Sequence, residues 1–252
     1  MNARDLRFGI EIECNIPRNY INESEIGGYH HGIQLYDAPQ GWNAQRDGSV
    51  EAFDSNMVAV EIVSPILQGE DGLIQVVYMI DYLNSIGATV NNSCGLHVHV
   101  GGEAIDRQTL DDLRDLFTTF EKAFFGLNGR QASNRYHSDY CVPSHKWCDS
   151  RRQSLNTTNM VLQRKKTVEI RCFAGSLNAA IVVSAVYMCV SIVARAINGK
   201  LATHNFRTCH AAMMAFINET FSEPEYNIVP DEDAADLVAT MLTQSRIARL
   251  TV

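Results

Sequence analysis

Arg7-Phe-Gly-Ile-Glu-Ile-Glu-Cys14 alternates apolar and acidic residues with a period of two, the pattern of a half-buried strand. Successive strand side chains point to opposite faces, so Phe8, Ile10 and Ile12 go to a core while Gly9, Glu11 and Glu13 share the other side. The two carboxylates then stand about 6.5–7 Å apart on one sheet face. Like charges held that close in a partly desolvated cleft take up a proton or a cation, and a divalent metal is the simplest resolution.

The same pattern returns in Cys94-Gly-Leu-His-Val-His-Val100, with His97 and His99 on one face, and in Thr167-Val-Glu-Ile-Arg-Cys-Phe173, with Glu169 and Arg171 on one face. Taken singly, each pair fits the solvated side of an antiparallel sheet. Set together in one sheet with a common orientation, they make a face of carboxylates, imidazoles and a guanidinium, which is a catalytic inventory. Residues 57–63 form a further apolar strand before Ser64-Pro65, and Glu61 on it points away from Val60 and Ile62 as another carboxylate for that face. Asp47-Gly48 supplies turn chemistry ahead of this strand, so a hairpin with Asp47 and Ser49 at its mouth is expected.

Helical spacing of apolar residues predicts helices over 71–86, stopped by Gly87, and over 106–125, capped by Asp106 and burying an aromatic stripe. Residues 177–198 read as a buried apolar helix, because its most apolar run, 179–194, is interrupted by serines and shorter than the roughly 20 residues a membrane span needs. Helices over 208–221 and 231–249, the last capped by Asp231, complete an all-helical end. Residues 17–42 look like a long loop in which His30 and His31 are exposed.

Residues 127–158 are polar and irregular and carry Asn134, Arg135 and Arg152. The run His137-x3-Cys141-x3-His145-x2-Cys148 could hold zinc, but its spacing is not that of a finger, and the segment more naturally supplies substrate contacts. Gln163-Arg-Lys-Lys166 reads as a solvated hairpin turn.

With 252 residues, 46% of them hydrophobic, the chain can bury a sizeable core. A net charge of −8 argues against a nucleic-acid or anionic-membrane binder and points to small-molecule or protein-like partners. No leader opens the sequence, and its seven cysteines show no framework spacing; a cytoplasmic protein with free thiols is expected, its oligomeric state open.

Five motifs in order, Phe8-Gly-Ile-Glu-Ile-Glu13, Asp47-Gly-Ser49, Glu61-Ile-Val-Ser-Pro65, Cys94-Gly-Leu-His-Val-His99 and Val168-Glu-Ile-Arg171, resemble the amidoligase family, carboxylate–amine ligases related to glutamine synthetase and glutamate–cysteine ligase. The resemblance implies an α+β fold built on a curved antiparallel sheet of the glutamine-synthetase catalytic type, with helices on one face and a helical C-terminal end. It implies one catalytic domain over residues 1–252, with the sheet core over about 5–177 and the helical part over 178–252. The implied activity is ATP-dependent: phosphoryl transfer to a carboxylate, then displacement by an amine from a small amino acid or a peptide side chain. Glu11, Glu13, Glu61, His97 and Glu169 would be metal ligands, for Mg²⁺ or Mn²⁺, and His99, Arg171 and Arg152 would meet ATP. Glu169, Arg171 and Arg135 would serve catalysis, and Asp47, Ser49, Asn134 and Arg135 would bind substrate, with Asn134-Arg135 a loose echo of the family's arginine-bearing loop. The rivals are a phosphotransferase on the same sheet, as in guanidino kinases, a zinc hydrolase that uses no ATP, and a binding module without turnover.

Overall fold

The computed structural model describes residues 1–22, 24–26, 32–144, 151–229 and 231–250. His30, His31, His145 and Cys148 lie outside the described residues, as does the side chain of Asp231. In chain order the elements are β1 (Arg7–Pro17), β2 (Asn43–Gln45), β3 (Met57–Val63), β4 (Leu67–Gln68), α1 (Gly69–Ser85), β5 (Gly95–Gly101), α2 (Arg107–Gly126), α3 (Ala132–Tyr136), β6 (Leu155–Asn156), α4 (Thr158–Val161), β7 (Thr167–Ala174), α5 (Ala179–Ile197), α6 (Cys209–Thr220) and α7 (Asp231–Ile247).

The strands form one antiparallel sheet in the order β2-β3-β1-β5-β7-β6, with β4 on the end of β1. Alternation in β1, β5 and β7 sorts their side chains as the sequence requires. Phe8, Ile10, Ile12, Leu96, Val98, Val100, Val168 and Ile170 are all buried on the helix side. The protein is thus α+β, with helices against one sheet face and a helical C-terminal end.

Helix starts and stops follow local chemistry. Asp106, Asn178 and Thr208 each accept a hydrogen bond from a first-turn backbone N–H, from Thr109, Ile181 and Ala211 respectively. Gly87, at φ +77°, ends α1 in the left-handed region that glycine adopts without strain. Helix α5 is apolar and long enough to cross a membrane, yet 83% of its apolar window is buried inside the protein, packed on β1, β5, α1, α2 and α7. It is the core helix, as its serine interruptions imply.

Two short elements in the segment read as irregular, α3 and β6, escape periodicity because neither is long enough to show any. A third irregularity sits in the β5–β7 ladder. Leu96 pairs with Phe173 and Val98 with Ile170, so His97 alone faces Arg171 and Cys172. This bulge on β7 puts both Cys172 and Phe173 in the core and re-aims Arg171 at the edge of the site.

The helix layer is anchored by aromatics. Phe124 is fully buried, with its ring 5.0 Å from Phe117, 6.1 Å from Phe173 and 5.5 Å from Phe216. It therefore ties α2 to the sheet through β7 and to α6. Phe124→Ala should cost about 3–5 kcal/mol in urea unfolding with the m-value unchanged. A loss below about 1 kcal/mol would show that this junction does not carry the layer.

Candidate active site

The polar face is built by register. Glu11 lies opposite His97, Glu13 opposite Glu61, and His99 opposite both Gly9 and Glu169. Directly opposed residues bring their Cβ atoms to about 4.5–5.5 Å, so four strands converge their acidic and imidazole groups on one spot.

His97 is the hub. Its Nδ1 lies 3.1 Å from Glu11 Oε2, 3.7 Å from Glu169 Oε1 and 4.0 Å from Glu61 Oε1, and its Nε2 lies 3.6 Å from Glu13 Oε1. Glu13, Glu61, Glu169 and His97 are buried. Fixed donors hold two of the carboxylates: Glu13 Oε2 accepts the Gly95 N–H, and Glu169 Oε2 accepts from the Asn156 amide at 2.8 Å. Asn156 sits on the two-residue strand β6, whose contribution no pattern in the sequence announces.

The acids divide by environment. Burial alone would raise Glu11, but hydrogen bonds and charge from His97 and His99 outweigh it and hold its carboxyl well below the usual range. His99 is the converse: burial lowers it, and the neighbouring Glu11 carboxylate prevails, leaving it raised. Burial raises Glu61, and the charges of Glu11, Asp47 and Glu13 add to the effect, pushing it up to about 9.

Three overlapping sets place ligand atoms within 4.8 Å of one another: Glu11, His99 and Glu169; Glu11, Glu61 and His97; and Glu13, Asp47 and Glu61. The Nε2 atoms of His97 and His99 are buried without an aligned hydrogen-bond partner among the described residues, although His99 Nε2 stands 3.0 Å from Glu11 Oε1. Orphaned imidazole nitrogens beside carboxylates in excess fit a divalent cation. The oxygen-rich sets suit Mg²⁺ or Mn²⁺.

Of the residues singled out from sequence, Glu11, Glu13, Glu61, His97, His99 and Glu169 come together here. Asp47 joins Glu13 and Glu61 in one of these sets, and its Oδ1 accepts from both the backbone N–H and the hydroxyl of Ser49. Arg171 borders the cluster, donating from Nη1 to Glu169 Oε1 at 3.0 Å. Arg135 is buried and crosses β5 at Gly95, where a Cβ would come within 2.6 Å of its Nη2; that atom donates to the carbonyl of Arg171 at 2.8 Å. Asn134 is exposed on α3, and Arg152 is exposed with its guanidinium over the Tyr140 ring.

A cavity of about 490 Å³ opens at the Glu11–His99 end of the cluster. Its walls are apolar at Phe8, Pro65 and Ile66 and cationic at Arg7, Lys165 and Lys166. The sequence offers the lysine pair only as a solvated turn.

A family model described as "Putative amidoligase enzyme" matches residues 4–148, more than half of the 252 residues. The chain belongs to the amidoligase family. No curated protein matches it. Among solved structures, a GmaS/ADP complex is 11% identical, covers 96% of this chain and 68% of its own, and gives a TM-score of 0.48. A bifunctional glutathione synthetase from Pasteurella multocida is 10% identical, with 97% of this chain and 47% of its own covered at a TM-score of 0.47.

In this amidoligase the raised Glu61 gives a pH signature. Without metal its carboxyl is protonated at pH 7, and an ion requires the carboxylate, so binding expels a proton. Calorimetric titration of the metal-stripped protein with Mn²⁺, in two pH 7 buffers of different ionisation enthalpy, should show release of about one proton, abolished by Glu61→Gln. Equal heats in the two buffers would contradict this. The same raised value means that Glu61 destabilises the metal-free fold progressively as pH rises from 4.5 towards about 9.

Proposed function

We propose that this amidoligase is an ATP-dependent carboxylate–amine ligase, and that the observation carrying the reading is the continuity between the cavity and the Glu11–His99 end of the acidic cluster. A nucleotide needs an apolar wall for its base and cations for its phosphates. The cavity has both, within the size range of small-molecule sites, and its only contact with the cluster is at Glu11 and His99. Lys165 and Lys166 would meet the phosphates there, between the apolar wall and the carboxylates of the sheet face.

The chemistry follows in two steps. A carboxylate oxygen of the acid substrate attacks the γ-phosphorus, the bond to the β-bridging oxygen breaks, and ADP leaves with an acyl phosphate formed. The amine then attacks the acyl carbon, phosphate departs, and the amine loses its proton. When bound, Mg²⁺ or Mn²⁺ supplies charge neutralisation for the transferring phosphoryl group.

This chain's residues do the rest. Glu11, Glu13, Glu61, His97 and Glu169 would hold the cations, with Asp47 as an added carboxylate. His99 and Lys165 face the phosphates. Arg171 and Arg135 present positive charge to the carboxylate being activated and to the oxyanion of the tetrahedral intermediate. Ser49 and Asn134 would contact the substrate, a small amino acid or a peptide side chain, and Arg152 would meet ATP. We read residues 1–252 as one catalytic domain, because the apolar core runs without a break from Ala3 to Met241. The described cysteines are buried free thiols, which suits a reducing compartment such as the cytoplasm. A zinc hydrolase fits less well: among the described residues no ligand set offers more than one histidine, and all are dominated by carboxylates.

The direct test is calorimetric binding of a non-hydrolysable ATP analogue to metal-stripped protein, with and without Mg²⁺. Binding should require the metal, and Lys165→Ala or His99→Ala should weaken it by about tenfold or more. Tight metal-independent binding, or none under any metal, would overturn the reading. Given a competent acid and amine pair, Arg171→Ala should abolish phosphate release in a folded protein. A stable phosphorylated product in place of an amide would move the assignment to a phosphotransferase.

A further inference from the structure

Helix α2 carries a carboxylate where its pattern calls for a core residue. Glu121 is 6% exposed, on a helix that buries Phe117, Phe120, Phe124 and Phe125. A buried carboxylate is costly unless strong donors surround it. Here they come from across the molecule: Oε1 accepts the Ser144 backbone N–H at 2.8 Å, the Ser144 hydroxyl at 2.9 Å and the Ser154 hydroxyl at 2.5 Å.

Those serines belong to the two chain segments that hold Arg171. The segments are stitched to each other by Val142 N–H to Arg152 C=O at 2.6 Å and Ser154 N–H to Val142 C=O at 2.8 Å. From them, Tyr140 C=O accepts Arg171 Nε at 3.1 Å and Arg151 C=O accepts Nη1 at 3.0 Å. Ser154 C=O also accepts the Arg171 backbone N–H at 2.9 Å. The guanidinium thus sits in a cradle of main-chain carbonyls with Glu169 at its side, and the back of the cradle closes on one buried carboxylate oxygen.

We infer that Glu121 is a positioning residue for Arg171: from inside the helix layer it clamps residues 140–144 against 151–156 and so fixes the direction in which the guanidinium points. Its hydrogen bonds among the described residues go to Ser144 and Ser154, so it acts on Arg171 through those segments. The consequence for turnover rests on the ligase reading, because only a reaction that places negative charge at Arg171 needs that direction fixed. The positioning itself does not depend on it.

The test reads Arg171 directly. In ¹⁵N-labelled protein the Arg171 Nε–Hε signal, assigned by its loss in Arg171→Lys, should exchange slowly with solvent because Tyr140 C=O holds it. Glu121→Ala should speed that exchange by about tenfold or more, and Glu121→Gln, which keeps one acceptor, by less, while the amides of β1 and β5 keep wild-type protection. The double variant Ser144→Ala, Ser154→Ala removes the hydroxyl donors, leaves Glu121 in place and should act in the same direction; it decides the matter if Glu121→Ala does not fold. Unchanged Arg171 exchange in any of these folded variants would overturn the inference. So would an equal loss of protection at Arg171 and in the sheet, which would mean that Glu121 supports only global stability. Failure to bind the ATP analogue leaves this readout intact, so the two proposals fail separately.

Discussion

Four carboxylates converge on one imidazole, and the rest of the molecule is arranged around that imbalance. Glu11, Glu13, Glu61 and Glu169 all lie within 4.0 Å of a ring nitrogen of His97, with Asp47 close behind. A single histidine cannot neutralise such a group, and burying it without compensation is costly. The protein meets part of the cost internally. His97 and His99 hold Glu11 ionised, Gly95 N–H and Asn156 bind Glu13 and Glu169, Arg171 pairs with Glu169, and Glu61 keeps its proton. What remains is an excess of negative charge that suits a divalent cation.

A site of this kind is destabilising, and the opposite face of the sheet shows how it is sustained. The same alternation that brings acids to one side brings Ile10, Ile12, Leu96, Val98, Val168 and Ile170 to the other, where α1, α2 and α5 cover them. The apolar helix α5 has its place here. It lies under β1 and β5, the two strands that carry Glu11, Glu13, His97 and His99, and makes their backbones stiff enough to hold like charges together.

The central strands were legible from sequence because a period of two and strong apolar partners leave one orientation for each side chain, and a one-residue slip would bury the acids. The resemblance to amidoligases added roles that spacing alone does not give. What escaped the sequence has a common physical cause: it depends on partners far apart in the chain. Asn156 reaches Glu169 from a strand of two residues. Asp47 reads as a hairpin-mouth residue until the β2–β3 pairing swings it beside Glu61. Glu121 stands where the apolar spacing of α2 calls for a core residue, and only the crossing of Ser144 and Ser154 over the helix shows what satisfies it there. Lys165 and Lys166 read as a solvated turn because nothing local shows that a cavity opens beneath them. The bulge that re-aims Arg171 is invisible for the same reason, since it is a property of the ladder and not of either strand.

The measurement that bears most directly on this account is anomalous diffraction from crystals of the metal-stripped protein soaked in Mn²⁺. The account predicts Mn²⁺ on the polar face of the sheet, among Glu11, Glu61 and His97 or in one of the two adjoining ligand sets, with an imidazole nitrogen in its coordination sphere. Manganese absent from that face at saturating concentration, with the carboxylates paired to protein cations alone, would contradict it.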